Sequence, residues 1–394
     1  MAKEKTKGKS VHLDTEPTAE RDELLSSLAD ELNKNDKGGD KSAFFLDTKE
    51  DASAISDWIT TGASTLDLAI CNRPHAGLPV GRMVELTGLE GTGKSMMAAH
   101  IIAATQKKGG KAIMIDTENS SAPEFWESLG VNISKLLYIQ KETVEEIFDT
   151  IESAIAYIRK NEKDPLVTII VDSVAGASTK AELESDHGKD GYATGKAIII
   201  SKAMRKITNM IGKQRVLIVY TNQLRQNLKA MAFSDPWVVS GGKALAYHCS
   251  VRVRLSNLGK IKDKNNEVIG VKCKAEVKKT RFGPGNRSAE FEIYYDSGIA
   301  DYVSWLSVLK KKSLIKQGGA YYTFTKKSGE EVKFSSREFV ESMHSNPELR
   351  EEIYSTICDA VIMEYKKPNS VVFEDVTVDT EEEEESVEVI EDNG

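Results

Sequence analysis

Residues 83–95 read Met83-Val84-Glu85-Leu86-Thr87-Gly88-Leu89-Glu90-Gly91-Thr92-Gly93-Lys94-Ser95. The part from Gly88 to Ser95 matches the phosphate-binding pattern G-x-x-x-x-G-K-[ST]. The run before it, Met83 to Leu86, is typical of a buried strand, and a helix is expected to begin near Lys94. A strand, a glycine-rich loop and a helix in this order indicate an α/β fold built around a phosphate site.

The composition of this loop suits the binding of a nucleotide. Its glycines let the backbone turn N–H groups toward a phosphate, and the N-terminus of the helix adds positive potential there. Lys94 is predicted to reach the β- and γ-phosphates of ATP, and the Ser95 hydroxyl to bind Mg²⁺. The expected cofactor-binding residues of the loop are Gly88, Leu89, Glu90, Gly91, Thr92, Gly93, Lys94 and Ser95. The alternative is a glycine-rich turn that binds no ligand.

Further apolar runs, separated by helical stretches, lie at residues 112–115, 167–171, 216–220 and 251–255. Continuous apolar strands that alternate with helices indicate a parallel sheet covered on both faces. The segments at 272–277 and 289–295 alternate at period two, which is typical of half-buried antiparallel strands. The predicted fold class is therefore α/β, a P-loop NTPase core with a mostly parallel central sheet.

Acidic residues stand at the ends of two of these runs. Asp172 closes the run at 167–171 and is predicted to bind Mg²⁺, directly or through water, together with Ser95. Glu118 follows the run at 112–115 and is predicted to orient or deprotonate the water that attacks ATP. Alternatives remain open for both, because an Asp ending a strand is often only a turn former and Glu118 can be a solvated carboxylate capping the next helix.

Two amides, those of Asn222 and Gln223, end the run at 216–220. Ligands bind along the carboxyl edge of such sheets, so these amides are candidates for sensing the γ-phosphate, although both can be ordinary turn residues. The next segment, residues 224–243, mixes cationic, apolar and aromatic side chains without periodicity, and loops of this length are usually functional or disordered. Its cations Arg225, Lys229 and Lys243 can meet the phosphates of DNA while apolar side chains slip between unstacked bases.

Composition narrows the class of protein. The net charge is −8, but acidic residues concentrate at 381–392, so a DNA-binding groove elsewhere is not excluded. The cysteines, Cys71, Cys249, Cys273 and Cys358, are scattered without metal-ligand spacing, which fits a reducing cytoplasm. No run of eighteen apolar residues occurs, and the first residues are polar rather than a signal core. The sequence therefore predicts a cytoplasmic protein without a membrane partner.

The two ends of the chain differ from its central part. Leucines recur at helical spacing from Leu24 to Leu32, and a glycine-containing break separates them from a short apolar run at 43–46. This run can be an edge strand of the core or an arm that docks on a neighbouring subunit. The pattern of residues 301–366 indicates a small mixed domain. The acidic residues after Asn369 cannot form a core.

The order of these motifs is specific, and the sequence resembles the RecA recombinases of bacteria and their phages over about residues 55–350. The matching segments are Thr61-Gly62-Ala63-Ser64-Thr65-Leu66-Asp67, Gly77-Leu78-Pro79-Val80-Gly81-Arg82, the phosphate loop, Ile115-Asp116-Thr117-Glu118, Val171-Asp172-Ser173-Val174-Ala175, Ala203-Met204-Arg205-Lys206, Asn222-Gln223-Leu224-Arg225 and Gly241-Gly242-Lys243-Ala244-Leu245.

The resemblance implies roles at the ATP site. Glu118 falls on the family's catalytic glutamate, and Gln223 on the glutamine that couples the γ-phosphate to DNA affinity. Lys279 and Arg281 match two cations that reach the ATP of a neighbouring subunit, which implies a catalytic site completed between subunits. The aromatic positions that pack on adenine correspond to Phe125 and Tyr295.

A DNA-binding surface is implied as well. Residues 182–195, which lead into a basic helix at 196–206, and residues 225–241 match the two DNA-binding loops of the family. The positions implied to contact DNA are Ser201, Arg205, Arg225, Leu228, Ser240, Gly241 and Gly242, and the chemistry of the second loop adds Lys229.

The resemblance also divides the chain. Residues 1–54 are expected to hold an N-terminal tail and a helix-plus-strand polymerisation arm, and residues 55–300 a RecA-like ATPase core with both DNA-binding loops. Residues 301–368 are expected to form a small α+β C-terminal domain, and residues 369–394 an acidic disordered tail. This tail can compete with duplex DNA for a basic surface or serve solubility alone.

The function that the resemblance implies is that of an ATP-dependent DNA recombinase, a DNA-dependent ATPase acting in recombination and repair. Its implied partners are single-stranded DNA, homologous double-stranded DNA and further copies of the chain in a helical filament, with single-strand-binding and loader proteins as additional candidates. The alternatives are a helicase with a RecA-like core, which translocates as a ring, and a recombination mediator ATPase that does not exchange strands.

Some positions depart from the bacterial pattern. The loop carries Gly91-Thr92 and Ser95 where Ser-Ser and Thr are common, a change that the chemistry tolerates. Ile198 stands where bacterial members have a DNA-contacting arginine, and Ala246 replaces a frequent lysine. These departures, with a divergent first loop, favour a divergent member of the family, with a phage origin as one option.

Overall fold

The computed structural model describes residues 22–34, 43–45, 55, 57–118, 122–174, 176–183, 192–212, 214–226, 236–239 and 243–365. Contacts divide the chain into two compact units, Met1–Ala54 and Ile55–Gly394. Several predicted features lie outside the described residues: Leu228, Lys229, Ser240, Gly241, Gly242, Leu46 at the end of the apolar run at 43–46, and the acidic tail.

The first unit contains helix α1 (Glu23–Lys34). Asn33 joins this helix to the apolar run, because its Nδ2 donates to the Ala43 carbonyl at 2.8 Å and the Ala43 N–H donates to its Oδ1 at 2.9 Å. The leucines of α1 are all half-exposed or more, Leu24 to 76%. Residues 43–45 have no regular secondary structure, so the strand predicted for the arm is not seen within the described residues.

The second unit holds the remaining regular elements. Its helices are α2 (Ser64–Cys71), α3 (Lys94–Lys107), α4 (Pro123–Ser128), α5 (Val144–Asn161), α6 (Lys180–Leu183), α7 (Tyr192–Ile211), α8 (Lys243–His248), α9 (Asp301–Lys311), α10 (Ser336–Ser345) and α11 (Pro347–Val361), with a 3-10 turn at Ile133–Lys135. Its strands are β1 (Trp58–Ile59), β2 (Leu78–Pro79), β3 (Met83–Gly88), β4 (Lys111–Asp116), β5 (Leu136–Gln140), β6 (Val167–Asp172), β7 (Val216–Gln226), β8 (Trp237–Val239), β9 (Val251–Lys262), β10 (Val268–Thr280), β11 (Ser288–Tyr294), β12 (Gly298–Ile299), β13 (Lys316–Gly318), β14 (Tyr321–Thr325) and β15 (Glu331–Ser335).

Ten of the described strands form one sheet in the order β12-β11-β10-β9-β3-β7-β6-β4-β5, with β8 paired to the end of β7. The strands from β9 to β5 run parallel, and β10, β11 and β12 extend the sheet in antiparallel pairs. The prediction of an α/β core with a mostly parallel central sheet is confirmed.

The inner parallel strands β3, β4, β6 and β7 are buried on both faces, which explains why they read as continuous apolar runs. On β3, Val84 and Leu86 face a core that includes α2 and α3, whereas Met83 faces a second core with α5 and α7. The same alternation holds on β4, where Met114 belongs to the first core and Ile113 to the second. The carboxyl ends of β3, β4, β6 and β7 therefore meet at one edge of a rigid sheet.

The C-terminal part combines the antiparallel sheet β13-β14-β15 with the helices α9, α10 and α11. Its own aromatic core includes Trp305, Phe324, Phe334 and Phe339, and Leu68 of α2 packs into the same cluster. This part therefore packs on α2 and belongs to the same compact unit as the central sheet. Among the described residues, no helix has the length and apolar character needed to cross a membrane.

Candidate functional site

The glycine-rich loop leaves β3 at the carboxyl edge of the sheet and enters α3 at Lys94. Gly91 and Gly93 have φ angles of 67° and 90°, in the left-handed region that favours glycine. A Cβ on Gly88 would lie 2.8 Å from the Leu255 carbonyl oxygen, so close packing on β9 also requires glycine there. The loop thus has the backbone shape that lets N–H groups surround a phosphate.

Lys94 folds back over the loop. Its Nζ donates hydrogen bonds to the carbonyl oxygens of Gly88 at 3.0 Å and Leu89 at 2.8 Å. Desolvation lowers the pKa of Lys94, and the nearby charges of Asp172 and Glu118 oppose that shift. The lysine and both predicted acidic residues therefore share one electrostatic environment.

The two residues predicted to bind Mg²⁺ are in direct contact. The Ser95 hydroxyl donates to Asp172 Oδ2 at 2.9 Å, and the Thr221 hydroxyl donates to the other oxygen, Oδ1. The described residues contain no group of three or more His, Cys or acidic side chains that could hold a metal alone. One hydroxyl and one carboxylate still fit Mg²⁺, because that ion usually keeps several waters and takes phosphate oxygens as ligands.

Glu118 accepts hydrogen bonds from the ends of two other strands. Gln223 Nε2 on β7 and the Ser173 hydroxyl after β6 both donate to Glu118 Oε1, each at 3.2 Å. The Glu118 N–H donates to Asp116 Oδ1 at 2.8 Å, which fixes the backbone where β4 ends. The structure thus brings Lys94, Ser95, Asp172, Glu118 and Gln223 together at one sheet edge.

Sequence reasoning did not identify Thr221 as a partner of Asp172. The signal was available, since Thr221 directly precedes the amides at the end of a predicted strand. The contact itself depends on β6 and β7 being neighbours, which a single apolar run does not reveal.

The aromatic candidates for adenine lie on separate elements. Phe125 on α4 packs edge-to-face on Trp126 at 5.8 Å between ring centroids. Tyr295 is half-exposed and follows β11, two positions after Ile293, whose side chain packs beneath Gly93. Tyr295 is therefore placed on the loop side of the sheet, whereas no described contact links Phe125 to the loop.

Lys279 and Arg281 are not brought to the phosphate loop of their own chain. Lys279 pairs with Arg252 on β9, which pairs with Glu85 on β3. Gly88 lies three positions further along β3 than Glu85, which is about 10 Å of strand. Lys279 Nζ instead donates to the carbonyl oxygens of Ala246 and Tyr247, each at 2.9 Å.

Two of the residues predicted to contact DNA, Ser201 and Arg205, line an open groove of about 570 Å³ between α7 and α8. Ser201 and Arg205 contribute from α7, and the exposed Tyr247 and the partly buried His248 contribute from α8. Desolvation, followed by the charges of Arg205 and Lys279, lowers the pKa of His248. The groove is cationic and aromatic, a combination that suits a nucleic-acid backbone and its bases.

The segment predicted as a long irregular loop has a regular base. β7 continues to Gln226 and pairs with β8, so that Arg225 lies opposite Val238. α8 then begins at Lys243. In the other loop, α7 begins at Tyr192, earlier than the predicted helix start at residue 196, and ends at Ile211. The unpredicted parts depend on pairing and packing between distant segments rather than on local periodicity.

Comparison with known proteins gives a consistent result. A family model described as the RecA N-terminal domain matches residues 26–300. Protein RecA of Rhodospirillum rubrum is 34% identical over 299 residues, 76% of this chain and 78% of the relative. Protein RecA of Halalkalibacterium halodurans is 33% identical over 325 residues, 82% of this chain and 89% of the relative. With a phosphate loop at the carboxyl edge of a parallel sheet and a family match over most of its length, this chain belongs to the RecA family.

Proposed function

We propose that this chain is an ATP-dependent DNA recombinase that assembles on single-stranded DNA and exchanges strands with a homologous duplex. The observation that carries the proposal is the 3.2 Å hydrogen bond from Gln223 to Glu118. It joins the candidate catalytic carboxylate to β7, the strand that enters the second DNA-binding segment, residues 225–241. Relatives named protein RecA, similar over three quarters of this chain or more, support the same function.

The five side chains at the sheet edge divide the work of ATP hydrolysis. Lys94 would leave its loop carbonyls to bind the β- and γ-phosphates. Ser95 and Asp172 would hold Mg²⁺, which would supply charge neutralisation for the transferred group. Glu118 lies beside this pair and orients or deprotonates the attacking water. Phe125 and Tyr295 are proposed to pack on adenine, for which Tyr295 is the better placed.

Gln223 couples the nucleotide to DNA. In this structure its amide donates to Glu118. A bound γ-phosphate offers a more strongly charged acceptor, so the amide moves and shifts the end of β7. Because β7 and β8 form the base of the second DNA-binding segment, this shift alters how tightly that segment binds DNA. Its proposed contact residues are Arg225, Leu228, Lys229, Ser240, Gly241 and Gly242.

Assembly completes the catalytic site. Lys279 and Arg281 lie away from the phosphate loop of their own chain, so we place them against the ATP of the next subunit in a head-to-tail contact, which generates a helical polymer when it does not close. We further propose that residues 1–54 act as the polymerisation arm, 55–300 as the ATPase core, 301–368 as the C-terminal domain and 369–394 as an acidic tail.

A strand-exchange assay tests this function with two active-site variants. Lys94→Ala should bind ATP poorly and form no joint molecules, because the phosphates lose their cation. Glu118→Gln should bind ATP but hydrolyse it about 10²- to 10⁴-fold more slowly, since the amide cannot accept a proton. Filaments of Glu118→Gln should persist while those of the wild type turn over.

The matched controls are Lys107→Ala at the far end of α3 and Glu127→Gln on α4, both exposed. They should behave like the wild type. Joint molecules formed by Lys94→Ala at the wild-type rate would refute the proposed function. Closed rings instead of filaments, seen by electron microscopy with a non-hydrolysable ATP analogue, would support the helicase alternative.

A further inference from the structure

A carboxylate in the middle of β3 has no role in the proposed hydrolysis. Glu85 is fully buried and lies between β7 and β9. Asn222 Nδ2 donates to its Oε1 at 3.1 Å, and Arg252 Nε donates to its Oε2 at 2.6 Å. Each carboxylate oxygen thus contacts a different neighbouring strand.

On one side, this carboxylate connects to the nucleotide site. Asn222 directly precedes Gln223, whose amide donates to Glu118. Any shift of Gln223 that follows the γ-phosphate moves the backbone beside Asn222. The hydrogen bond from Asn222 to Glu85 lies one residue from the proposed phosphate sensor.

On the other side, it connects to the surface that holds Lys279. Arg252 lies opposite Lys279 in the ladder between β9 and β10, and Lys279 Nζ donates to the carbonyl oxygens that end α8. Desolvation lowers the pKa of Lys279, as do the charges of Arg281 and Arg252, and the charge of Glu85 opposes them. The buried carboxylate is therefore within electrostatic reach of the cation proposed to contact a neighbour's ATP.

The two flanks of the second DNA-binding segment lie near these contacts. β7 contains Asn222 and leads into the segment at Gln226, and α8, which follows the segment, accepts from Lys279 at the carbonyl oxygens of Ala246 and Tyr247. Asn222, Glu85, Arg252 and Lys279 lie on the four adjacent strands β7, β3, β9 and β10.

Stability alone does not require a charge at this position. A buried ion pair gives little net stabilisation compared with well-packed apolar side chains of similar volume. Glu85 is fully buried and the Arg252 side chain is only 24% exposed. If packing were the sole role of this pair, apolar side chains of similar volume could replace both residues.

We propose that Glu85 is a positioning residue that couples the nucleotide site at one edge of the sheet to the Lys279 surface and the second DNA-binding segment. This inference rests on the proposed function, since it requires DNA affinity to depend on the bound nucleotide. Glu85 contacts neither ATP nor DNA in this scheme and acts only through Asn222 and Arg252.

The test compares the affinity of the full-length chain for a single-stranded oligonucleotide with a non-hydrolysable ATP analogue and with ADP. Glu85→Gln removes the charge but leaves Arg252 without its partner, which can impair folding. The double variant Glu85→Gln with Arg252→Met removes both charges and keeps an amide oxygen for Asn222. Thr168→Val is the control, because it removes a different buried hydrogen bond, from β6 to Thr105 on α3.

The double variant should bind the ATP analogue as the wild type does, while the ratio of its two DNA affinities falls about tenfold. Thr168→Val should keep the wild-type ratio. A wild-type ratio in the double variant would overturn the role of Glu85 and leave the proposed function intact. Equal DNA affinities with both nucleotides in the wild type itself would refute the proposed function and the inference with it.

Discussion

The carboxyl groups of Asp67 and Asp301 are buried where α2 meets α9. Asp301 Oδ1 accepts from the Ser64 N–H at 2.8 Å and from the Ser64 hydroxyl at 2.9 Å. Desolvation raises the pKa of Asp301 to about 6 and that of Asp67 to about 7, although hydrogen bonds to each carboxylate oppose the shift. The charge of Asp301 adds to the rise at Asp67. The hydrogen bonds between Asp301 and Ser64 join α9 of the C-terminal part to α2.

The raised pKa values predict a pH dependence of stability. Both carboxyl groups have a pKa of 3.8 in the unfolded chain. The stability that they contribute in the protonated form is therefore fully present below pH 3.8 and is lost as the pH rises through about 6 to 7. Asp301→Asn removes one titration and keeps an oxygen acceptor for Ser64. Its melting temperature relative to the wild type should therefore rise by about 3 °C between pH 5 and pH 8.

The control for this prediction is Asp296→Asn, which changes an exposed carboxylate before β12. Its difference from the wild type should be the same at both pH values. A pH-independent difference for Asp301→Asn, measured by the same thermal unfolding, would contradict the assignment of a buried ionisable pair.

Sequence patterns predicted single residues unevenly. Lys94 and Ser95 follow from a motif whose chemistry is local, and Asp172 from the end of an apolar strand. Glu85 escaped notice because it stands inside a run that reads as a buried strand. Its partners lie 137 and 167 positions away in the chain, so only the order of strands in the sheet reveals its contacts.

At the scale of elements, α1 presents apolar side chains to solvent. Leu25 and Leu28 are 51% and 50% exposed. If α1 docks on a neighbouring subunit, burying the exposed half of each leucine contributes about 1 to 1.5 kcal/mol to assembly. Changing both to serine should raise the protein concentration needed for filament formation by about two orders of magnitude, since 1.4 kcal/mol is tenfold.

Sedimentation of the full chain with single-stranded DNA and an ATP analogue measures this effect. Ser27→Ala, an exposed position on the same helix, is the control and should leave assembly unchanged. ATP binding should be unaffected in both, because Lys94 belongs to the other unit. Assembly of the double serine variant at the wild-type concentration would show that α1 takes no part in the contact.

Elements were predictable where both of their faces are buried. β4, β6 and β7 read as apolar runs because each face packs on a core. β5 was missed because it stands at the edge of the sheet, half-exposed, with Leu137 open to solvent. β8 was missed because three residues carry too little pattern, and its pairing with β7 forms only after the chain has folded back.

For the whole molecule, the sheet separates two chemical surfaces. Its carboxyl edge carries the phosphate loop with Glu118 and Gln223, and Lys279 lies toward the opposite end of β9 and β10. A single chain therefore holds both halves of the proposed catalytic site without joining them. The sequence predicted the sheet and the family, whereas the packing of the C-terminal core on Leu68 depends on contacts that no local pattern encodes.

The most direct test of catalysis between subunits mixes two inactive variants, Lys94→Ala and the double variant Lys279→Ala with Arg281→Ala. Each alone should hydrolyse ATP poorly with single-stranded DNA. In a random one-to-one filament, about a quarter of the contacts join an intact phosphate loop to intact cations, so the mixture should recover about a quarter of the wild-type rate. A mixture no faster than its separate components, or a cation variant as active as the wild type, would contradict a site shared between subunits.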